Sequence, residues 1–211
     1  ITDNEITISS NSDANSQSYC IYHYYTTYDD AALDVSNNEL NSFGNTVGLY
    51  LSSIITELSQ IKNNIFKGTG REFIKLNSSF YVYNNLFEMT LTDSLNSEIS
   101  LIDLQDDGNF IIQNNTLVTR EGEGFEASEI DVHGINIDEY SSLDAINNIF
   151  YGFIGSAINN NSEDINALTI SFNNFYNNEN ISMGDVPEMF SEFIFTDANG
   201  NDIDLYNNIN M

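Results

Sequence analysis

The sequence predicts an all-β protein, a single domain over residues 1–211 built as a parallel β-helix solenoid of about eight coils with little helix. Three observations predict it. Asn-Asn pairs recur along the chain, at 37–38, 63–64, 84–85, 114–115, 147–148, 173–174 and 207–208. Each carries the same flanks, apolar-x-apolar-x-x-Asn-x-apolar, and the apolar positions alternate at period two, which reads as a short strand rather than a helix. The spacing between the asparagines varies while the motif does not, as in a stack of coils that share one strand and differ in their loops.

Taken in order, the first unit is Ile6, Ile8 and Asn11, with Asp13 where an apolar residue is expected. Leu33, Val35, Asn38 and Leu40 form the second; Ile61, Asn64 and Phe66 the third, which misses at Ser59. Phe80, Val82, Asn85 and Phe87 follow, then Phe110, Ile112, Asn115 and Leu117. Leu143, Ala145, Asn148 and Phe150 precede Leu168, Ile170, Asn173 and Phe175. The last unit, Ile203, Leu205 and Asn208, misses at Asn210. Between the motifs lie further strand-like runs at Val47–Leu51, Phe73–Leu76, Ile99–Leu104, Ile130–Ile137 and Phe193–Phe195, giving several strands per coil. Short helices are expected at Leu51–Ile61 and Glu188–Phe193 alone.

Composition narrows the function. The chain holds 32 Asp and Glu against 5 Lys and Arg, a formal charge of −27, with 33 Asn, no Trp, one Pro and one Cys. Such a polyanion is repelled by phosphates, which argues against nucleic acid as a partner. One cysteine provides neither an intrachain disulfide nor a paired-cysteine zinc site. No apolar run approaches the ~20 residues of a membrane helix, so no membrane insertion is expected. Enough aromatic and branched residues remain to build a core despite the charge. The chain opens on Ile1-Thr2-Asp3-Asn4 without a leader pattern and is expected to be mature, trimmed or cut from something longer.

The segments Ile61-Lys62-Asn63-Asn64-Ile65-Phe66, Val82-Tyr83-Asn84-Asn85-Leu86-Phe87 and Ile146-Asn147-Asn148-Ile149-Phe150 resemble coils of the right-handed parallel β-helix (pectate-lyase-like) superfamily. Phe195–Asp202 resembles a late-coil segment of its secreted members. The resemblance covers nearly the whole chain and implies the fold and an extracellular or cell-surface location. It says little about activity, since one fold hosts many functions.

In stacked coils, equivalent residues lie ~4.8 Å apart. Inward asparagines at 11, 38, 64, 85, 115, 148, 173 and 208 are therefore expected to form a hydrogen-bonded ladder, each satisfying a group that costs roughly 1–3 kcal/mol unpaired. Phe66, Phe87, Leu117, Phe150 and Phe175 should stack as a second, apolar ladder.

Candidates for chemistry are few. On the outward side of the shared strand, Asp34, Asp144 and Asp204 fall too many coils apart for a glycosidase carboxyl pair. The long insertion between Asn115 and Asn148 groups Arg120, Glu121 and Glu123 with His133, a base, acids and a histidine suited to acid–base work if the protein is an enzyme. Asp197, Asn199, Asn201, Asp202 and Asp204 offer closely spaced oxygens of the kind Ca²⁺ takes. Tyr24, Tyr81 and Tyr83, with Lys62, are the candidate ligand-binding residues, able to stack on sugar rings.

A solenoid leaves open edges at both ends, and no cap is legible at either. The leading expectation is a non-enzymatic extracellular structural protein that self-associates end to end into filaments, joins neighbouring surface-protein domains, or acts as an adhesin. The alternative is a carbohydrate-active enzyme, lyase or hydrolase, or a carbohydrate-binding module.

Overall fold

The computed structural model describes residues 1–10, 18–24, 32–52, 59–92, 98–106, 108–125, 130–162, 168–184, 186, 195–196, 199–204 and 207–210. Three sheets stack along one axis, and each coil visits them in turn. Sheet A contains β3 (Asp34–Ser36), β6 (Ser59–Lys62), β9 (Phe80–Tyr83), β12 (Asn109–Gln113), β15 (Ser142–Ile146) and β18 (Leu168–Ser171). Sheet B contains β1 (Glu5–Ser9), β4 (Glu39–Phe43), β7 (Ile65–Gly68), β10 (Leu86–Leu91), β13 (Thr116–Glu121), β16 (Ile149–Tyr151), β19 (Asn174–Tyr176) and β23 (Ile209–Asn210). Sheet C contains β2 (Ser18–Tyr24), β5 (Thr46–Ser52), β8 (Glu72–Asn77), β11 (Ile99–Gln105), β14 (Val132–Ile137), β17 (Ser156–Asn160) and β20 (Asn180–Gly184). All these strands pair in parallel, and the fold is an all-β parallel solenoid. Among the described residues there is no helix. The helix expected over Leu51–Ile61 is replaced at both ends by strand, β5 and β6, because intercoil pairing outweighs local helical periodicity there; its middle, 53–58, and the one expected at Glu188–Phe193 lie outside the described residues.

The A-to-B corner explains the asparagine pairs. Where the pair stands, its first member adopts a left-handed backbone: Asn37 (φ 56°), Asn63 (54°), Asn84 (56°), Asn114 (56°), Asn147 (54°) and Asn207 (61°). Asparagine tolerates this region better than other L-residues with side chains, and the turn swings the second member inward. That second member is the rung. The main-chain N–H and Nδ2 of Asn38 both donate to Asn64 Oδ1 at 2.9 Å. The same pair of bonds joins Asn64 to Asn85, Asn85 to Asn115, Asn115 to Asn148, Asn148 to Asn173 and Asn173 to Asn208. Each Nδ2 spends its other hydrogen on a sheet-A carbonyl of the preceding coil, as Asn115 does on Val82 O at 2.9 Å.

At the seventh corner the pair is shifted by one, so Phe172 takes the left-handed position, at φ 59°, with its ring 56% exposed. That conformation costs a bulky residue roughly 1–2 kcal/mol. Phe172→Asn is expected to raise the thermal midpoint, through a gain of about 1 kcal/mol. A lowered midpoint would show that the ring makes a contact worth more than the strain.

Apolar columns fill the interior. Val35, Ile61, Val82, Ile112, Ala145 and Ile170 stack in sheet A, each 1% exposed or less. Leu40, Phe66, Phe87, Leu117, Phe150 and Phe175 stack in sheet B, with Phe66–Phe87 centroids 4.8 Å apart and Phe150–Phe175 5.2 Å. Ser59, the apparent break in the pattern, is fully buried and its Oγ accepts the Leu33 N–H at 2.9 Å.

Two expectations about the ends are corrected. The rung bonded to Asn38 is Asn4, whose N–H and Nδ2 donate to Asn38 Oδ1 at 3.1 and 2.9 Å, while Asn11 lies outside the described residues. Ile6 and Ile8 accordingly sit after the corner, with Ile6 opposite Leu40 in sheet B; an alternating strand looks the same on either side of a corner. At the other end the coils are not bare. Past β23, sheet B continues through two antiparallel strands, β22 (Asp202–Ile203) and β21 (Phe195–Thr196). The ladder ends there as well, since Asp204 Oδ1 and Oδ2 accept the N–H and Nδ2 of Asn208, each at 2.9 Å.

Candidate functional site

The outer face of sheet C carries a polar column that runs from an aromatic patch into a cleft. Parallel register places Tyr22, Tyr50, Lys75, Asp103, Asn136 and Asn159 in one line. Tyr22 and Tyr50 stack at 5.0 Å with planes 8° apart, and Tyr19 packs edge-on to Tyr50 at 5.6 Å. Beyond them a cleft of about 390 Å³ opens, lined by Arg71, Glu72, Lys75, Glu98, Asp103, Gln105, His133, Asn136 and Asn161 among others.

Asp103 is the hub. It is 6% exposed and receives Lys75 Nζ at 3.2 Å, Gln105 Nε2 at 2.8 Å and Asn136 Nδ2 at 2.9 Å. Asn136 Oδ1 in turn accepts from Asn159 at 3.0 Å and Asn161 at 3.1 Å. Glu72 is also 6% exposed. Its Oε1 stands 3.5 Å from Arg71 Nε, and its Oε2 is buried without a hydrogen-bond partner among the described residues. Burial pushes the Glu72 carboxyl above the usual range, and Asp103 adds to this; Lys75 and Arg71 offset only part. Burial pulls Lys75 downward, but Glu72 and Asp103 outweigh it and hold the ammonium charged to higher pH.

His133 closes one wall of the cleft. Its Nδ1 accepts the Ser156 N–H at 3.1 Å and faces Ser156 Oγ at 2.8 Å, while Nε2 meets Glu98 Oε1 at 3.1 Å. Because a main-chain N–H must donate, Nδ1 is the acceptor and the proton sits on Nε2, directed at Glu98. The distances are those of a serine–histidine–acid relay, but its serine and histidine are buried while Glu98 is exposed. Ser156 is fully buried, His133 is 1% exposed, and Gly155 packs so tightly that a Cβ there would lie 2.8 Å from the imidazole Cε1. The Nδ1 lone pair that would take a nucleophile's proton is already bonded to the main chain. The cluster ties coils together.

Burial lowers the His133 pKa, with Glu98 and Asp131 offsetting part of the shift. The unfolded chain therefore binds this proton more readily, and stability falls as pH drops below ~6.5. Glu72 has the opposite sign: its contribution is present at low pH and is lost as pH rises through its elevated value. His133→Gln, which carries no titratable proton, is expected to flatten the fall in urea midpoint between pH 7 and 5 relative to the parent protein. Parallel curves for the two proteins would contradict that sign.

The candidates read from the sequence are dispersed. Arg120 pairs with Glu88 at 3.0 Å on the outside of sheet B. With Glu121 it lines a separate cleft beside Tyr151 and Phe153, sharing no residue with the one that holds His133. Glu123 is exposed in the turn after β13. The corner after sheet B thus sends the two halves of the insertion to different faces.

Lys62, Tyr81 and Tyr83 do meet on sheet A. The two rings stack at 4.3 Å, and Tyr83 Oη and Lys62 Nζ both donate to Gln60 Oε1, at 3.1 and 3.0 Å. Lys62 also pairs with Asp34 at 2.8 Å. Tyr24 stands apart at the end of β2 on sheet C, 57% exposed.

For calcium, Asp197 lies outside the described residues and Asn199 and Asp202 are exposed. Asn201 is half-buried, while Asp204 points inward with both oxygens occupied by Asn208. Burial gives Asp204 that role, an inward carboxylate at the ladder's end serving as a double acceptor. Among the described residues no three His, Cys, Asp or Glu side chains converge as metal ligands. Sequence reasoning missed Glu72, Lys75 and Asn136 and met Asp103 only as a weaker oxygen ligand beside Asp106, Asp107 and Asn109, because their grouping exists only once intercoil register is known; its one available signal was that two of five cations fall within 71–75.

Compared with protein-family models, curated proteins and solved structures, the chain matches none.

Proposed function

We propose that this chain is a non-enzymatic solenoid of the cell surface or extracellular space, of the right-handed pectate-lyase-like type, that offers the sheet-C cleft to carbohydrate in the manner of an adhesin. The observation that carries the reading is the composition of that cleft. In a chain with five basic residues, Arg71 and Lys75 line it together with Glu72, Glu98 and Asp103 and three planar amides. Alternating donors and acceptors suit the hydroxyls of a sugar, and the unpartnered Glu72 Oε2 supplies a group whose desolvation a ligand would repay. The Tyr22–Tyr50 stack next to it presents flat apolar surface of the kind sugar rings cover. The exterior location rests on the resemblance of the coil segments to secreted proteins.

Glu72 also favours a second reading. A carboxyl whose pKa burial raises is suited to general-acid work, so the cleft fits a lyase or hydrolase site as well.

Calorimetric titration with neutral, amino and uronate oligosaccharides, with reducing-end analysis of the products, tests both readings. Binding without cleavage is expected, weakened about tenfold or more by Asp103→Asn, a loss of about 1.4 kcal/mol. Product that disappears in Glu72→Gln would establish the second reading, and no binding across the three classes would sink both.

A further inference from the structure

The ladder has a direction, and it leaves the two ends of the solenoid chemically unlike. Every rung donates two bonds toward the next coil and accepts two from the previous one. At the far end the donors of Asn208 are consumed by the Asp204 carboxylate, and antiparallel β22 and β21 extend sheet B beyond. At the near end, Asn4 gives one Nδ2 hydrogen to Thr2 O at 2.7 Å and the other to Asn38 Oδ1, so its donors are spent. Its Oδ1 is in the place where every later rung accepts two bonds, yet Asn4 is exposed and, among the described residues, that oxygen accepts none.

The surrounding face matches. β1 and β2 are end strands of sheets B and C, each paired along one side. Ile6 and Ile8 are only half-buried and Ile1 is 46% exposed, whereas the next coil's Val35 and Leu40 are fully buried. The face carries strand edges, apolar side chains and one bare double acceptor.

We infer that this face docks a coil of another β-solenoid unit, one that presents an asparagine-type donor pair, a main-chain N–H with its own carboxamide, above Asn4, and parallel strands against β1 and β2. A second copy of this chain does not fit. Stacked head to tail it would bring the acceptor-only Asp204 end to the acceptor Oδ1 of Asn4. Stacked face to face it would oppose two Asn4 oxygens with no donor between them. The filament expected from bare ends is thus replaced by a polar joint in which this chain follows a different unit. The inference is independent of the sheet-C cleft.

A duplicated coil tests it. Placing a second copy of residues 61–81 ahead of Ile1 puts Ile1 in the position of Val82, since Ile61 and Val82 share a column with Val35, and the Thr2–Ser36 bridge sets Ile1 beside Val35. The copied Asn64 then stands over Asn4 Oδ1. Amide exchange of Glu5–Ser9 is expected to slow about tenfold or more relative to the parent chain, and the same insert with Asn64→Asp should lose that protection. Equal protection by the two inserts would overturn the inference. The segment 61–81 added as a free peptide provides the intermolecular arm: at saturating concentration it should protect the same amides, and its Asn64→Asp form should not; equal effects, or none, would count against docking. Sedimentation of the unmodified chain should show no concentration-dependent polymer, and head-to-tail filaments would overturn the choice of partner.

Discussion

Asn115→Leu is expected to destabilise the protein by about 3–6 kcal/mol, as much as many domains have to lose. The side chain has five polar contacts inside the stack. Its two Nδ2 hydrogens are shared among Val82 O, Gln113 O and Asn148 Oδ1 at 2.9, 3.0 and 3.1 Å, and its Oδ1 accepts Asn85 N–H and Nδ2 at 2.9 and 3.0 Å. Leucine matches the volume but leaves the two Asn85 donors and Val82 O facing a hydrocarbon. Each buried group left unpaired costs roughly 1–3 kcal/mol, and hydrophobic transfer returns only part. Urea unfolding monitored by circular dichroism measures the loss, with the reservation for stacked repeats that the transition need not be two-state. Asn4→Ala, at the exposed end of the same ladder, is expected to cost under about 1 kcal/mol. A central substitution as mild as the terminal one would show that water or backbone relaxation satisfies the column.

Phe87→Ala should cost about 3–5 kcal/mol by a different route. Its ring is fully buried and stacks on Phe66 at 4.8 Å with planes 11° apart, while Phe73 closes the side at 6.5 Å. Strands fixed above and below by hydrogen bonds cannot collapse into the space, so most of the cavity survives. Phe87→Leu, which copies the residue one coil on at Leu117, should cost under about 1.5 kcal/mol. Equal losses for Ala and Leu would mean that ring stacking, not volume, sets the energy. Calorimetric melting of the two variants separates these outcomes.

The ladder and the Phe column were legible because both depend on local chemistry repeated in every coil. Asn-Asn marks a left-handed corner followed by an inward amide, and one apolar residue two places later marks the next strand. The failures share a cause. The first rung was expected at Asn11 because Ile6 and Ile8 alternate identically whether they enter or leave a corner, and hydrogen bonds to β4 decide which. Arg120 and His133 lie in one insertion, yet the chain turns between them and distributes them to sheets B and C. Asp204 read as an outward calcium ligand because Ile203 and Leu205 looked like inward positions of a shared strand. In the fold Asp202–Ile203 belongs to an antiparallel closure, and the Asp204 carboxylate faces in.

By itself the sequence determined the solenoid, the number of its coils and which asparagines from 38 to 208 form its spine, because period and turn chemistry are written into each coil and a stack adds only translation. Tertiary structure alone decided what stands beside what along the axis. Lys75 meets Asp103, and Asp103 meets Asn136, at sequence separations of 28 and 33, which carry no register. The direction of the ladder, with Asn4 left as acceptor and Asp204 as terminus, was likewise settled there, because donors and acceptors acquire a sense only when one coil lies on the next.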